Sequence, residues 1–542
     1  MWKKGWRDQI WSEIKQPWDI IIIGGGITGA GILREATRVG LNALLVEAHD
    51  FASGTSSRSS KLVHGGFRYL KNAQIRLTYY AVRERERLLK EGRGLINPLS
   101  FLMTSFPTDP LPAWVMGLGL TVYDMLAFRW GHQYHDAREL RALCPQLTNP
   151  QLLGGHRYID ALTDDARLVL RVIREAVRNG ATAINYTKVD GLLFNHNKKV
   201  CGVIIRDVSN ESDVHEVEVE SQLVINAAGA WSDEIRKCAY GSSISPKQHH
   251  LRKLRGSHLI FPQKSLPIAR AISAFHPDDS RPVFVFPWKG VSIIGTTDVD
   301  HTQSLQTDPQ ISDEEIDYLI RVGTTLFPTL ELKKSNIQST FSGVRAVIDT
   351  GKVDPSKESR EHLIWHENGL LTVTGGKLTT FRLMAKDALF SARKWLSVKI
   401  PSITSQRMLD DPPSDVIWDS TVDPSIRLAL LGRYGNDAPR LVANAKTDEF
   451  KFIDQCQTSW AELRWAAQSE GVIHLDDLLM RRVRIGLTLP EGGIPWLENI
   501  RRIVQSELEW DDHRWKQECD SYIDLWKRSY SLPSHLGNKT KT

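Results

Sequence analysis

Asp19-Ile-Ile-Ile-Ile23-Gly24-Gly-Gly26-Ile-Thr-Gly29-Ala-Gly31 decides how the first half of the chain folds. The apolar run Trp18 to Ile23 is short, isoleucine-rich and uninterrupted, which predicts a strand buried on both faces. It stops on Gly24, and the spacing Gly24-x-Gly26-x-x-Gly29 leads into the helical pattern Ile32, Leu33, Ala36, Val39. Gly40 ends that helix, and Leu41 to Val46 predicts a second strand closing on Glu47. Each glycine has a physical role: a tight turn, backbone approach to a pyrophosphate, and close packing of helix on strand. Free N–H groups at the start of the helix favour an anion there. Glu47, 23 residues after Gly24, stands where a carboxylate meets a ribose hydroxyl. Strand, glycines, helix, strand and acid in that order predict a Rossmann-like unit that binds a dinucleotide, without saying which one.

The 542 residues allow several domains, and a 41% hydrophobic composition is that of an ordinary globular protein. A net charge of +5 is small for this length. It permits a basic face towards phosphates or anionic lipid and makes no case for nucleic acid. The cysteines (Cys144, Cys201, Cys238, Cys456, Cys519) are scattered without a CxxC pair. That argues for a reducing compartment and against a disulfide scaffold or zinc site, and no metal site is expected.

Before the first strand, Trp2, Trp6, Ile10, Ile14 and Trp18 recur every four residues among Lys3, Lys4, Arg7 and Lys15. Such an amphipathic helix suits either a membrane interface or the protein's own surface. Leu111 to Phe128 is apolar across 18 residues, near the lower limit of about 17 for a membrane span. Pro112, Gly117, Gly119 and Asp124 within it argue for a helix that packs internally or dips into one leaflet.

The stretch Phe51 to Leu70 is rich in hydroxyls and glycines and holds Thr55, Ser56, Ser57, Lys61, Leu62, His64, Gly65, Arg68 and Tyr69. It can wrap a cofactor's phosphates and ring with backbone and hydroxyl donors, and its embedded basic and aromatic side chains do not fit a bare surface loop. Strands at about 192–194, 200–206 and 214–219 suggest a hairpin insertion. Leu223 to Ser232 then predicts a further buried strand with a small-residue turn, and 251–300 reads as antiparallel. Ser312 and Glu315 form a capping box for a helix over 313–327. Val373-Thr-Gly375-Gly376-Lys377-Leu378-Thr379 again runs from strand through paired glycines to a helix start, and the helix covers 378–396.

The phrase Thr55-Ser-Ser-Arg-Ser-Ser-Lys-Leu-Val-His-Gly-Gly-Phe-Arg-Tyr-Leu70 resembles the flavin-binding signature of the FAD-dependent glycerol-3-phosphate dehydrogenases, a branch of the D-amino-acid-oxidase-like flavoproteins. Phe341-Ser-Gly-Val-Arg345-Ala-Val347, Gly432-Arg-Tyr-Gly435, Ala461-Glu-Leu-Arg464 and Leu478 to Gly486 resemble that family in the same order. Ala346 stands where the family usually has proline. The resemblance spans roughly Asp19 to Trp526. It implies an α/β fold: a Rossmann-like FAD-binding domain, an antiparallel-sheet substrate cap and a C-terminal helical domain. The divisions expected are an amphipathic segment over 1–18 and an FAD domain over 19–400, its cap interleaved at about 98–150 and 250–345. A linker over 401–416, a helical domain over 417–528 and a flexible tail over 529–542 complete the chain.

The implied reaction is oxidation of sn-glycerol 3-phosphate to dihydroxyacetone phosphate with FAD reduced and a quinone as acceptor. The implied setting is peripheral, on the cytoplasmic face of a membrane, with a homodimer possible and no nucleic-acid partner. A phosphomonoester needs fixed cations, so Arg68 and Arg345 are the phosphate candidates, supported by Lys377 and Tyr69. His64 and His258 are the base candidates, and the sequence does not choose between them. Gly24, Gly26, Gly29, Glu47, Thr55, Ser56, Ser57, Lys61, Leu62, His64, Gly65, Val189, Gly229, Trp231, Gly375, Gly376, Lys377, Leu378 and Thr379 are assigned to the cofactor. The competing readings are an oxygen-using glycerol-3-phosphate oxidase, an amine or amino-acid oxidase, and a membrane-attached flavoprotein without turnover.

Overall fold

The computed structural model describes residues 2–67, 75–210, 216–240, 250–351, 358, 361–396, 407–418 and 422–533. Arg68 and Tyr69 lie outside the described residues. A parallel sheet runs, in spatial order, Leu370–Gly375, Glu216–Asn226, Trp18–Ile23, Ala43–Val46 and Thr182–Ile184, with His362–Glu367 antiparallel on its edge. Ile20, Ile21 and Ile22 are fully buried because helices cover one face and a β-hairpin layer the other. The helix Ile27–Arg38 packs against Asp165–Arg178 and Phe381–Ala392, and a Cβ added at Gly31 would come 3.0 Å from the Phe381 ring. The hairpin Thr187–Phe194 and Val200–Asp207 pairs with the first half of Glu216–Asn226. The two strands expected at 214–219 and 223–226 are therefore one, switching from an antiparallel to a parallel partner along its length.

A second sheet roofs the carboxyl ends of the parallel strands. Its spine is Val299–Asp300, Leu251–Pro262, Val291–Gly295, Pro282–Trp288, Ala271–Phe275, Ile96–Ser105, Gly154–Thr163 and Leu62–Val63, with Ser339–Ile348 paired along Leu251–Pro262. The cap thus takes in residues 154–163 and 62–63, beyond the expected bounds of 98–150 and 250–345. Ser312 and Glu315 form the expected capping box on the helix Asp313–Leu326.

The C-terminal region is helical: Pro424–Tyr434, Ala438–Asn444, Trp460–Ser469, Leu497–Leu508 and Asp512–Ser529. The helical pattern is interrupted over Leu475–Ile485, which holds a π-helical turn over Asp477–Arg482, then Arg484 at φ 66°, then the short helix Ile485–Thr488. Two boundaries also shift. Met408 and Leu409 of the expected linker are fully buried and Asp410 pairs with Arg34 at 2.6 Å, so this stretch is part of the core. Tyr530 of the expected tail is 4% exposed and its carbonyl accepts from Thr340 N at 2.7 Å.

The N-terminal tryptophans turn inward. Trp2 stacks on Phe51 at 5.0 Å and donates to the Ala183 carbonyl at 3.3 Å, and Ile14 and Trp18 are buried. The apolar face of residues 2–18 packs on the protein itself, with Trp6, Ile10 and Trp11 half-buried against the same core.

Candidate active site

Between the two sheets lies a cavity of about 1760 Å³. That exceeds the 300–1,000 Å³ of ordinary small-ligand sites and suits a dinucleotide together with a substrate. Its floor is the carboxyl ends of the parallel strands, where open α/β sheets bind ligands. Gly24 takes φ +113°, and a Cβ there would sit 2.6 Å from the Ala227 carbonyl oxygen. A Cβ at Gly29 would lie 1.9 Å from the Gly24 oxygen, so helix and strand meet only over glycine. Gly26 precedes the helix Ile27–Arg38 with no side-chain cap of its own, and Ser56 Oγ accepts from Ile27 N at 3.0 Å. Glu47 accepts from Gly25 N at 2.6 Å and His49 N at 2.9 Å.

Across the cavity, Gly375 and Gly376 take φ +76° and +73°, and Lys377 opens the turn Leu378–Thr380 that starts the following helix. Thr379 Oγ1 donates to the His64 carbonyl at 3.2 Å, which joins this helix start to the 53–66 segment. Thr55 Oγ1 donates to the Val344 carbonyl at 2.5 Å, joining the same segment to the cap strand that carries Arg345. Arg345 lines the cavity, its guanidinium held by Asp298 Oδ1 and Thr296 Oγ1, each at 3.1 Å.

Residues 19–385 match the model of the family described as FAD dependent oxidoreductase, and residues 398–515 match the C-terminal domain of alpha-glycerophosphate oxidase. The chain is 32% identical over 503 residues to an aerobic glycerol-3-phosphate dehydrogenase of Staphylococcus epidermidis, covering 88% of each chain. It is 33% identical over 489 residues to that of Staphylococcus aureus, covering 86% of each. Among solved structures, the glycerol-3-phosphate dehydrogenase from Bacillus halodurans complexed with FAD superposes with a TM-score of 0.77 at 25% identity, covering 98% of both chains. The L-alpha-glycerophosphate oxidase of Mycoplasma pneumoniae shares the fold, with a TM-score of 0.57 at 18% identity over 73% of this chain and 99% of that one. The chain belongs to the FAD-dependent glycerol-3-phosphate dehydrogenase family. It is a flavoenzyme with FAD as its cofactor. The site described above fits that group, since only glycine leaves room at positions 24 and 29, and backbone donors at a helix start face the cavity.

Most residues assigned from sequence converge on the flavoenzyme's cavity. Gly24, Gly26, Glu47, Thr55, Ser56, Leu62, His64, Val189, Gly229, Trp231, Gly375, Gly376, Lys377, Leu378 and Thr379 all line it. Gly29 acts one layer below, through packing. Four further assignments do not line the cavity. Ser57 turns its carbonyl away from the cavity, towards Lys61 Nζ at 3.2 Å and Arg484 Nη2 at 2.7 Å. Lys61 is fully buried, pairs with Asp165 at 3.2 Å and lies over the Phe341 and Trp288 rings at 4.4 and 4.9 Å. Burial pushes its ammonium down to about 8, against the pull of Asp165. Gly65 is walled off by Tyr123, whose hydroxyl accepts from Gly65 N at 2.9 Å.

His258 is the fourth. It is fully buried, stacked on Phe341 at 4.4 Å, and reaches the cavity only through Ser60, whose Oγ lies 2.8 Å from Nε2. Burial, reinforced by Arg345 and Lys61, holds its pKa well below the usual histidine value, so the ring is neutral. Nδ1 has no hydrogen-bond partner among the described residues. An unpaired buried N–H costs more than an unpaired lone pair, so the favoured tautomer donates from Nε2 to Ser60. In that tautomer the nitrogen nearer the cavity, Nε2, carries the hydrogen and offers no lone pair towards it, and of the two histidines only His64 lines the cavity.

Sequence reasoning missed Ser60, Arg281, Thr296 and Asp298, which also line the cavity. Arg281 Nη1 donates to the Asp298 carbonyl at 3.1 Å, so it stands beside the Arg345 anchor. Its only sequence signal is a basic residue opening the strand Pro282–Trp288, which a surface ion pair mimics equally well.

Proposed function

We propose that this flavoenzyme oxidises sn-glycerol 3-phosphate to dihydroxyacetone phosphate and passes the electrons to a quinone at the cytoplasmic face of a membrane. The observation that carries the substrate is Arg345: a guanidinium fixed by Thr296 and Asp298 on the wall of a cavity that also holds Arg281 and Lys377. A planar fork already braced on its far side suits the oxygens of a phosphomonoester, and little further ordering is needed when the substrate arrives. FAD supplies the two-electron acceptor for the hydride of the substrate's carbinol carbon. Arg345 and Arg281 hold the phosphate end, which fixes where that carbon lies. His64 takes the hydroxyl proton, and the start of the helix after Lys377 stabilises negative charge at its end of the cavity.

The quinone and membrane readings are supported by the helix Ala113–Ala127. Trp114, Leu118 and Met125 are 68%, 59% and 56% exposed, with Phe128 and Trp130 beyond them, while Leu111, Val115, Leu118 and Val122 line the cavity. One helix therefore joins an exposed apolar face to the cavity, as a lipid-soluble acceptor requires. Arg83 lies over the Phe128 ring at 5.2 Å and Arg129 is 56% exposed, cations suited to anionic headgroups. Among the described residues no helix is long and apolar enough to cross a membrane.

Anaerobic addition of sn-glycerol 3-phosphate to the holoenzyme should bleach the flavin absorbance. Bound flavin that stays oxidised would overturn the reading. Arg345→Ala should keep its flavin and lose about 10- to 100-fold in kcat/KM through a raised KM, the worth of one charge-assisted hydrogen bond. Reduced enzyme should transfer electrons to a quinone analogue faster than to oxygen, and the reverse order would make it an oxidase.

A further inference from the structure

The loop after the strand Ala43–Val46 has two sides. Towards the cavity it presents Ser53, Gly54, Thr55, Ser56, Ser59 and Ser60. It is also wired to the glycine motif, through Ala52 N to the Gly25 carbonyl at 3.0 Å and Ile27 N to Ser56 Oγ at 3.0 Å. Its back carries Asp50, Phe51 and Ser57, all buried, and these are held by residues from the two ends of the chain.

Trp2 stacks on Phe51 at 5.0 Å with the rings 20° apart, and Phe51 in turn lies against Gly25, where a Cβ would meet its ring at 2.8 Å. From the other end, Arg482 forks onto both oxygens of Asp50 at 2.6 and 2.7 Å, and Arg481 adds a contact at 2.6 Å. Arg484 Nη2 donates to the Ser57 carbonyl at 2.7 Å and to Asp165 at 3.2 Å, while Asp165 also accepts from Ser59 N and Oγ at 3.0 and 2.8 Å. Arg482, Arg484 and Asp50 are at most 1% exposed as side chains. The break in the helix between Asp477 and Ile485 is what turns all three arginines to one place. A buried carboxylate with two guanidiniums holds only if its geometry is kept, so the loop cannot shift without leaving charges unpaired.

We propose that Trp2 and the Arg481–Arg484 turn are positioning residues for FAD, latching the 50–60 loop from behind so that the C-terminal helical domain governs retention of the cofactor. The latch touches no cavity-facing atom of that loop, and the inference stands whichever alcohol the cavity oxidises. Linkage makes it reciprocal: bound FAD strengthens docking of the chain ends, and loss of the latch weakens FAD by the same factor.

The test follows FAD release from full-length holoenzyme by recovery of free-flavin fluorescence after dilution, alongside thermal unfolding of the apoprotein. Trp2→Ala and Arg484→Met should release FAD at least tenfold faster than wild type, and Trp2→Phe and Arg484→Lys should recover part of the difference. Arg171→Met is the control. It removes contacts to the Gly432 and Asp410 carbonyls on the C-terminal side and touches no loop residue. It should lower the melting temperature while releasing FAD at the wild-type rate. Wild-type release from Trp2→Ala and Arg484→Met would overturn the proposal, and so would equal acceleration in Arg171→Met, which would reduce the effect to general destabilisation. If Arg484→Met does not fold, the Trp2→Ala and Trp2→Phe pair decides alone.

Discussion

His258 shows at the scale of one residue how burial redirects chemistry. Its type and motif mark it as a base, yet the ring lies under Phe341 with Gly295 so close that a Cβ there would come 2.1 Å from its Cδ2. The consequence for stability has a definite sign. The folded pKa is depressed below the unfolded value of 6.5, so as pH falls below about 6.5 the unfolded chain takes up a proton that the folded ring refuses. Stability contributed by this site is present above that pH and is lost below it, with a limiting slope of about 1.4 kcal/mol per pH unit. His258→Phe should flatten the pH dependence of thermal unfolding between pH 7 and 5 by up to one proton. Parallel curves for variant and wild type would mean that the ring titrates freely. Lys61 makes a related point: a lysine inside a flavin-binding signature serves by holding Asp165, Ser57 and Ser59 in place rather than by touching the ligand.

Among the elements, the helix Ala113–Ala127 is the one whose composition and placement pull in different directions. Met116, Leu120 and Tyr123 are buried on one side, and Trp114, Leu118 and Met125 are exposed on the other. A helix that buries one apolar side and leaves the other apolar side exposed is a candidate interaction face. Trp114→Glu combined with Met125→Glu, neither of which lines the cavity, should abolish sedimentation with anionic lipid vesicles while anaerobic bleaching by substrate persists. Vesicle binding equal to wild type would overturn the assignment of this face, and wild-type protein that does not sediment with vesicles would overturn the membrane reading. The amphipathic N-terminal segment, which carries a similar sequence signal, differs because Trp2 finds Phe51 and Ala183 within the same chain and Trp18 is buried. Periodicity reports that a face is apolar and is silent about what covers it.

For the whole molecule, the helix Asp165–Arg178 is the joint between the FAD domain and the C-terminal domain. Arg167, Arg171 and Arg174 project from one side of it. Arg167 forks onto Glu470 at 2.6 and 2.8 Å, and Arg174 reaches Asp437 at 2.6 Å. Both partners of the Arg167–Glu470 pair are at most 2% exposed, so removing one charge strands the other in a medium that cannot solvate it. Glu470→Gln should therefore cost about 3–5 kcal/mol in thermal or denaturant unfolding. A loss under about 1 kcal/mol would show that the pair is solvated in solution.

What the sequence by itself determined is the set of local geometries that only particular residues permit. The strand Trp18–Ile23, the Gly24 turn, the glycine contact at position 29 and the paired glycines before Lys377 follow from steric rules acting over a few residues, and were legible for that reason. So was the family, because the 55–70 and 341–347 phrases are long and specific. Only the tertiary structure decided which of the motif's side chains face the cavity and which face protein. Ser57, Lys61, Gly65 and His258 are turned from ligand to scaffold by partners 50 or more positions away: Tyr123, Asp165, Phe341 and Arg484. It also interrupts the helical domain at Arg484, where buried acceptors at Asp50 and Ser57 outweigh local helical preference. Contacts of that range carry no periodic signal along the chain, and burial, which sets both pKa and role, exists only once the two ends have closed on the middle.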